Sequence, residues 1–104
     1  MHSTGILSQL YKPISAEKAA RLLNAKWRIV DDRLFKRYAL PTHTAAAEFA
    51  LRVARKADEM NHHPEIHIKY RFVSFSLRTN DANMLSETDE KLAYIIDQLK
   101  VPKI

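Results

Sequence analysis

The segment Met60-Asn61-His62-His63-Pro64 separates two incompatible hydrophobic periods, so a chain carrying both must build a helix and a sheet and join them here. Before it, Ala46, Phe49, Ala50, Val53, Ala57 and Met60 recur at three- and four-residue steps, the apolar face of a helix capped by Thr44. After it, Ile66, Ile68 and Tyr70 alternate with His67, Lys69 and Arg71, and Val73, Phe75 and Leu77 alternate with Ser74, Ser76 and Arg78. Alternation at period two collects side chains on one side of a strand. The two runs read as a hairpin in which each strand has one buried face, and parity places Tyr70 in the core.

The flanks extend the pattern. An irregular lead over residues 1–13 precedes a helix capped by Ser15, running to Asn24 with Ala19, Ala20, Leu22 and Leu23 as its apolar positions. Trp27 to Val30 and Leu34 to Leu40 read as strands around the turn Asp31-Asp32-Arg33, with Trp27 a core anchor. Beyond a loop over Arg78 to Leu85, Ser86 and Asp89 have the spacing of a reciprocal cap. The third helix carries the stripe Leu92, Ile95, Ile96 and Leu99, and Pro102 ends it. The order is α-β-β-α-β-β-α. With no repeat or linker, residues 1–104 form one α+β domain with helices covering an antiparallel sheet.

Composition narrows the function. The chain has no cysteine, which excludes disulfides, thiolate catalysis and Cys-type zinc sites. It has no apolar run of about 18 residues and no leader-like start, so neither a membrane span nor secretion is expected. The net charge of +5 arises in residues 1–52, where nine Lys/Arg face four Asp/Glu. Those basic residues, among them Lys26, Arg28, Arg33, Lys36 and Arg37, stand singly, so direct nucleic-acid binding is not expected.

His62 and His63 are the strongest candidates for chemistry, because imidazole can both give and take a proton near neutral pH. Adjacent residues in extended backbone point to opposite sides, and metal-binding pairs usually stand further apart, so no metal is expected. From the residues alone, a helix-ending histidine beside a solvated one competes evenly with a proton-transfer site. His2 and His43 have no clear partners, and His67 reads as exposed.

The wider spacing resembles the pterin-4a-carbinolamine dehydratase family. The residues that carry the resemblance are Asp58-x-x-x-His62-His63-Pro64, Tyr70, Thr79-Asn80-Asp81 and Asp89, joined upstream by Leu22-Leu23-x-x-x-Trp27 and Leu34-Phe35-Lys36-Arg37-Tyr38. The resemblance covers roughly residues 14–99. It implies a four-stranded antiparallel sheet with three helices on one face, assembled as a homodimer or homotetramer. The implied reaction is dehydration of 4a-hydroxytetrahydrobiopterin to quinonoid dihydrobiopterin, without metal or cofactor, in tetrahydrobiopterin recycling. Members also serve as dimerisation cofactors of a homeodomain transcription factor, which leaves such a partner open. The expected location is the cytoplasm, with the nucleus as the alternative.

Loss of water from C4a with removal of the N5 proton needs an acid and a base. By the resemblance, His63 is the acid at the 4a-hydroxyl, and His62 positions the ring or relays a proton. Asp58 either orients a histidine or remains a plain exposed carboxylate. Asn61, Pro64, Arg78, Thr79, Asn80 and Asp81 are the implied substrate-binding residues, and Asp89 is read first as a capping carboxylate. This chain departs from the family at Asn80, where a third histidine is usual. An amide can hold a polar ring edge but cannot exchange a proton. One of the paired histidines takes over that role, or Asp81 or a water does, or catalysis fades while binding remains. The first is expected, because the rest of the motif is retained.

Overall fold

The computed structural model describes residues 11–102. The first ten residues of the lead, and with them His2, lie outside the described part. Helix α1 spans Ala16–Asn24, β1 Arg28–Val30, β2 Arg33–Ala39, α2 His43–Met60, β3 Glu65–Lys69, β4 Phe72–Leu77 and α3 Glu87–Gln98, with a 3-10 turn at Asn80–Ala82. The expected element order is the one observed.

All strand pairs are antiparallel, in the order β1-β2-β4-β3. The registers Leu34↔Leu77, Lys36↔Phe75 and Tyr38↔Val73 put these six residues on one face of the sheet. On β4, Val73, Phe75 and Leu77 are fully buried while Ser74 and Ser76 between them are not. The core joins that face to Leu22 of α1, Ala46, Phe49, Ala50 and Val53 of α2, and Leu92, Ala93 and Ile96 of α3, so all three helices cover the same side. Tyr38, Phe49 and Phe75 meet edge to face, with centroids 4.9–5.9 Å apart. That geometry sets the positive ring edge against the negative face.

Trp27 is buried as expected, and its indole Nε1–H donates to Asp97 Oδ2 at 2.8 Å. Lys36 Nζ donates to Asp97 Oδ1 at 2.7 Å, and the Tyr38 hydroxyl donates to the same oxygen. One carboxylate of α3 therefore gathers the polar ends of three side chains that share the core face, satisfying groups that would be costly to bury unpaired.

Several local expectations are corrected. The cap of α2 is Thr42, whose side chain accepts from the Ala45 N–H at 3.0 Å, rather than Thr44. On α1 only Leu22 is buried, and Leu23 is 52% exposed, because the helix lies at the margin of the core. Helix α3 stops at Gln98, well before Pro102, with Leu99 in extended conformation. Strand β3 is an edge strand, so Ile68 remains 41% exposed although its parity is right. Tyr70 is not in the core: it sits in the β3–β4 turn at φ 55° and is 67% exposed. His43 has a partner after all, its Nδ1 meeting the Tyr70 carbonyl across that turn.

No helix among the described residues is long and apolar enough to cross a membrane.

Candidate active site

Helix α2 ends at Asn61, which adopts the left-handed conformation at φ 51° and returns its N–H to the carbonyls of Ala57 and Asp58. Asparagine tolerates this conformation better than most residues that bear a Cβ. The His62 N–H then binds the Ala57 carbonyl at 3.0 Å. This tight exit delivers two consecutive imidazoles into different surroundings.

His62 turns toward α3, and its Nε2 lies 2.6 Å from Asp89 Oδ1, with the His62 side chain 13% exposed and that of Asp89 fully buried. A carboxylate only accepts, so His62 carries its hydrogen on Nε2, and Nδ1 is the acceptor in the neutral ring. His63 turns outward: its Nε2 lies 3.0 Å from Asp58 Oδ1, one helical turn back on α2, in an exposed pair. Asp58 is thus both an exposed carboxylate and a hydrogen-bond partner of His63.

Asp89 has the expected capping role, accepting the Ser86 N–H on Oδ2 at 2.9 Å in a reciprocal cap. It also does something that capping alone does not explain. Thr79 Oγ1 donates to the same Oδ2 at 2.8 Å, and Ser86 Oγ lies 2.5 Å from Thr79 Oγ1. Since Thr79 has a single hydroxyl hydrogen, directed at Asp89, Ser86 is the donor to Thr79. The buried carboxylate thus has three donors, and His62 is the one that reaches the surface.

A cleft of about 260 Å³ opens over this network, lined by Tyr11, Asn61, His62, His63, Arg78, Thr79, Asn80 and Asp81. Seven of the nine residues singled out from the sequence line it; Asp58 reaches it through His63, and Pro64 is not in the lining. Arg78 Nη2 donates to the Asn83 side chain, while Arg78 Nε is buried with no partner among the described residues. Asn80 opens the 3-10 turn beside Asp81. Tyr11 and Asp89 were not counted among the site residues. The acidic spacing from Ser86 gave a sign of Asp89, but nothing local marks Tyr11. Among the described residues no three His, Asp or Glu side chains converge as a metal would require.

Fold and site together define a small α+β domain whose surface cleft holds two imidazoles, each oriented by its own carboxylate. The family model of pterin 4 alpha carbinolamine dehydratase matches residues 12–99. A Herpetosiphon aurantiacus protein that carries the provisional name pterin-4-alpha-carbinolamine dehydratase is 42% identical over 73 residues, 70% of this chain and 76% of the relative. A Burkholderia pseudomallei protein with the same provisional name is 55% identical over 51 residues, 49% of this chain and 50% of the relative. The chain belongs to the pterin-4a-carbinolamine dehydratase family. Two solved structures share its fold. A Brucella melitensis protein described as a transcriptional coactivator/pterin dehydratase superposes with TM-score 0.73 at 24% identity, over 83% of this chain and 96% of that one. A pterin dehydratase-like RuBisCO assembly factor of the alpha-carboxysome does so with TM-score 0.56 at 22% identity, over 68% and 82%.

Proposed function

We propose that this protein is a dehydratase acting on 4a-hydroxytetrahydrobiopterin, with His62 and His63 performing the proton transfers. The observation that carries the reading is the pair of consecutive imidazoles, each held by a separate carboxylate, at one cleft in a chain of this family.

Elimination of water breaks the C4a–O bond with protonation of the departing hydroxyl, and the N5 proton must go to a base. The exposed, adjustable His63 is assigned to the hydroxyl as acid. The more rigid His62, fixed by Asp89, is assigned to the ring edge as positioning group and proton relay. Both Nε2 atoms are engaged by carboxylates, so in each ring Nδ1 is the nitrogen left for the substrate. Asn80, Asp81, Thr79, Arg78 and Asn61 offer hydrogen bonds to the pterin's polar edge, and the unpartnered Arg78 Nε is a donor a bound ligand would satisfy. No step needs a metal or a cofactor. Pro64 acts only by stiffening the turn.

A homodimer or homotetramer in the cytoplasm completes this reading; the exposed Ile68 on edge strand β3 supports association. The alternative, a weakly active or non-enzymatic pterin-binding module that works on a transcription-factor partner, is motivated by Asn80 and by the basic excess in residues 1–52.

The test is to generate the 4a-carbinolamine with an aromatic amino-acid hydroxylase and follow quinonoid dihydropterin formation. The folded protein is expected to accelerate it. Absence of acceleration overturns the enzyme reading, and saturable pterin binding without acceleration selects the alternative.

A further inference from the structure

A planar bicyclic ring gains most of its binding energy from a flat surface against its face, yet half of the cleft's lining is short polar side chains, Asn61, Thr79, Asn80 and Asp81. Apart from the two histidines, which are assigned to proton transfer, Tyr11 is the one aromatic residue in that lining among the described residues. It comes from the segment ahead of α1, far from the motif that defines the rest of the site.

That segment is tied down. The Glu87 N–H donates to the Lys12 carbonyl at 2.8 Å, and Pro13 bridges to Ser86. Lys18 of α1 pairs with Glu87 at 2.6 Å. All three contacts fall at the start of α3, the turn that also presents Asp89 to His62. Tyr11 is therefore held by the same element that orients the inner histidine. From there its hydroxyl crosses to donate to Asp81 Oδ2 at 3.3 Å. Asp81 directly follows Asn80, the position at which this chain departs from its family.

We propose that Tyr11 is a substrate-binding residue, its ring forming a wall of the pterin cleft while its hydroxyl fixes Asp81 beside Asn80. The inference rests on the pterin reading above and adds a determinant of affinity to it. The direction of the Tyr11 ionisation agrees: partial loss of water contact and the Asp81 carboxylate both push the phenol above its ordinary value, so it stays a donor. Tyr11 takes no part in the proton transfers. It sets where the ring lies, and through Asp81 how the 3-10 turn meets the ring's polar edge.

The experiment compares the intact chain with Tyr11→Leu, Tyr11→Phe, Asp81→Ala and the Tyr11→Phe/Asp81→Ala double variant. A 7,8-dihydropterin is titrated by fluorescence quenching, and the carbinolamine reaction is run in parallel. Tyr11→Leu is expected to raise both Kd and KM about tenfold, the scale of one lost stacking surface, while kcat falls by less than KM rises. Tyr11→Phe, which keeps the ring, is expected to raise KM two- to fourfold. Asp81→Ala, which also gives up its own bond to the ring edge, is expected to cost at least as much, and the double variant should be no worse than Asp81→Ala alone. Unchanged Kd and KM in Tyr11→Leu, or strictly multiplicative losses in the double variant, overturn the inference while leaving the dehydratase reading intact. A wild-type protein that neither binds nor converts a pterin overturns the dehydratase reading, and this inference with it.

Discussion

Asp89 Oδ1 receives the Nε2–H of His62 at 2.6 Å while Oδ2 of the same buried carboxylate closes the cap of α3, so one side chain serves both a helix terminus and the site. Replacing it therefore affects stability and rate together. Asp89→Ala removes the reciprocal half of the cap, while Ser86 still accepts the Thr88 N–H, and it leaves the buried Ser86 N–H and Thr79 hydroxyl unmatched at roughly 1–3 kcal/mol each. A loss of about 3 kcal/mol or more in urea unfolding is expected. Asp89→Asn keeps the shape but offers one acceptor oxygen. It should fold with a smaller penalty and lower kcat by tenfold or more.

The outer pair predicts the reverse balance. Asp58 and His63 are both exposed, with side chains 76% and 59% accessible. An exposed pair contributes at most about 1 kcal/mol, so Asp58→Ala is expected to change the dehydration rate by less than about fivefold and the unfolding midpoint hardly at all. His63→Ala and His62→Ala should each cost about 10²–10⁴ in kcat, the range for a lost general acid or base. A His63→Ala enzyme at full rate would end the assignment of His63 as acid.

At Asn80 the proposal predicts a binding defect rather than a chemical one. Asn80→Ala removes a hydrogen-bonding group worth about 0.5–1.5 kcal/mol, so KM should rise between about two- and tenfold with kcat nearly unchanged. Asn80→His should raise kcat by less than tenfold, because the paired histidines already carry the proton transfers. Steady-state kinetics on the two variants separates these effects.

Alkaline pH provides a test of the polar network beneath the sheet. Burial, and then the Asp97 carboxylate that accepts its hydroxyl, push Tyr38 far above its ordinary value of 10.0. Folding thus favours the protonated phenol, and this contribution is whole below about pH 10, where an unfolded tyrosine is also protonated. It declines as pH rises past 10 toward the folded value. Urea midpoints are expected to fall between pH 10 and 11.5, and Tyr38→Phe should flatten that fall while lowering stability at pH 7.

At the acid end the sign is opposite. The hydrogen bond from Lys18 holds the partly buried Glu87 carboxyl below its ordinary value of 4.5 despite some desolvation. Its contribution is present above about pH 4.5 and is lost as pH falls through the folded value. Lys18→Ala should remove a small part of the stability difference between pH 6 and pH 3, measured by urea unfolding.

The element order and the β4 face were legible in the sequence because α2 and β4 run through the core, where periodicity and burial coincide. Strand β3 has the same alternation, but it lies at the edge, and parity carries no information about which strands are flanked on both sides. Tyr70 shows the limit: its parity pointed inward, yet two residues must turn the hairpin between Lys69 and Phe72, and Tyr70 is one of them. The histidine pair and the Asn80 segment were readable as local motifs. The contacts that assemble them were not, since His62 meets Asp89 across 27 positions and Tyr11 meets Asp81 across 70. Asp89 was also masked by its own cap, which explained the residue fully at close range.

The left-handed exit at Asn61 gives α2 an unusual constraint. Its 18 residues, His43–Met60, set the angle at which His62 and His63 leave the helix. One residue added or removed along that span would swing the pair by about 100° and shift it about 1.5 Å, carrying His62 away from Asp89. Substitutions on the solvent side of α2 away from Asp58 are expected to be tolerated, whereas a single-codon insertion or deletion there would disconnect the two imidazoles from the cleft even if the domain still folded.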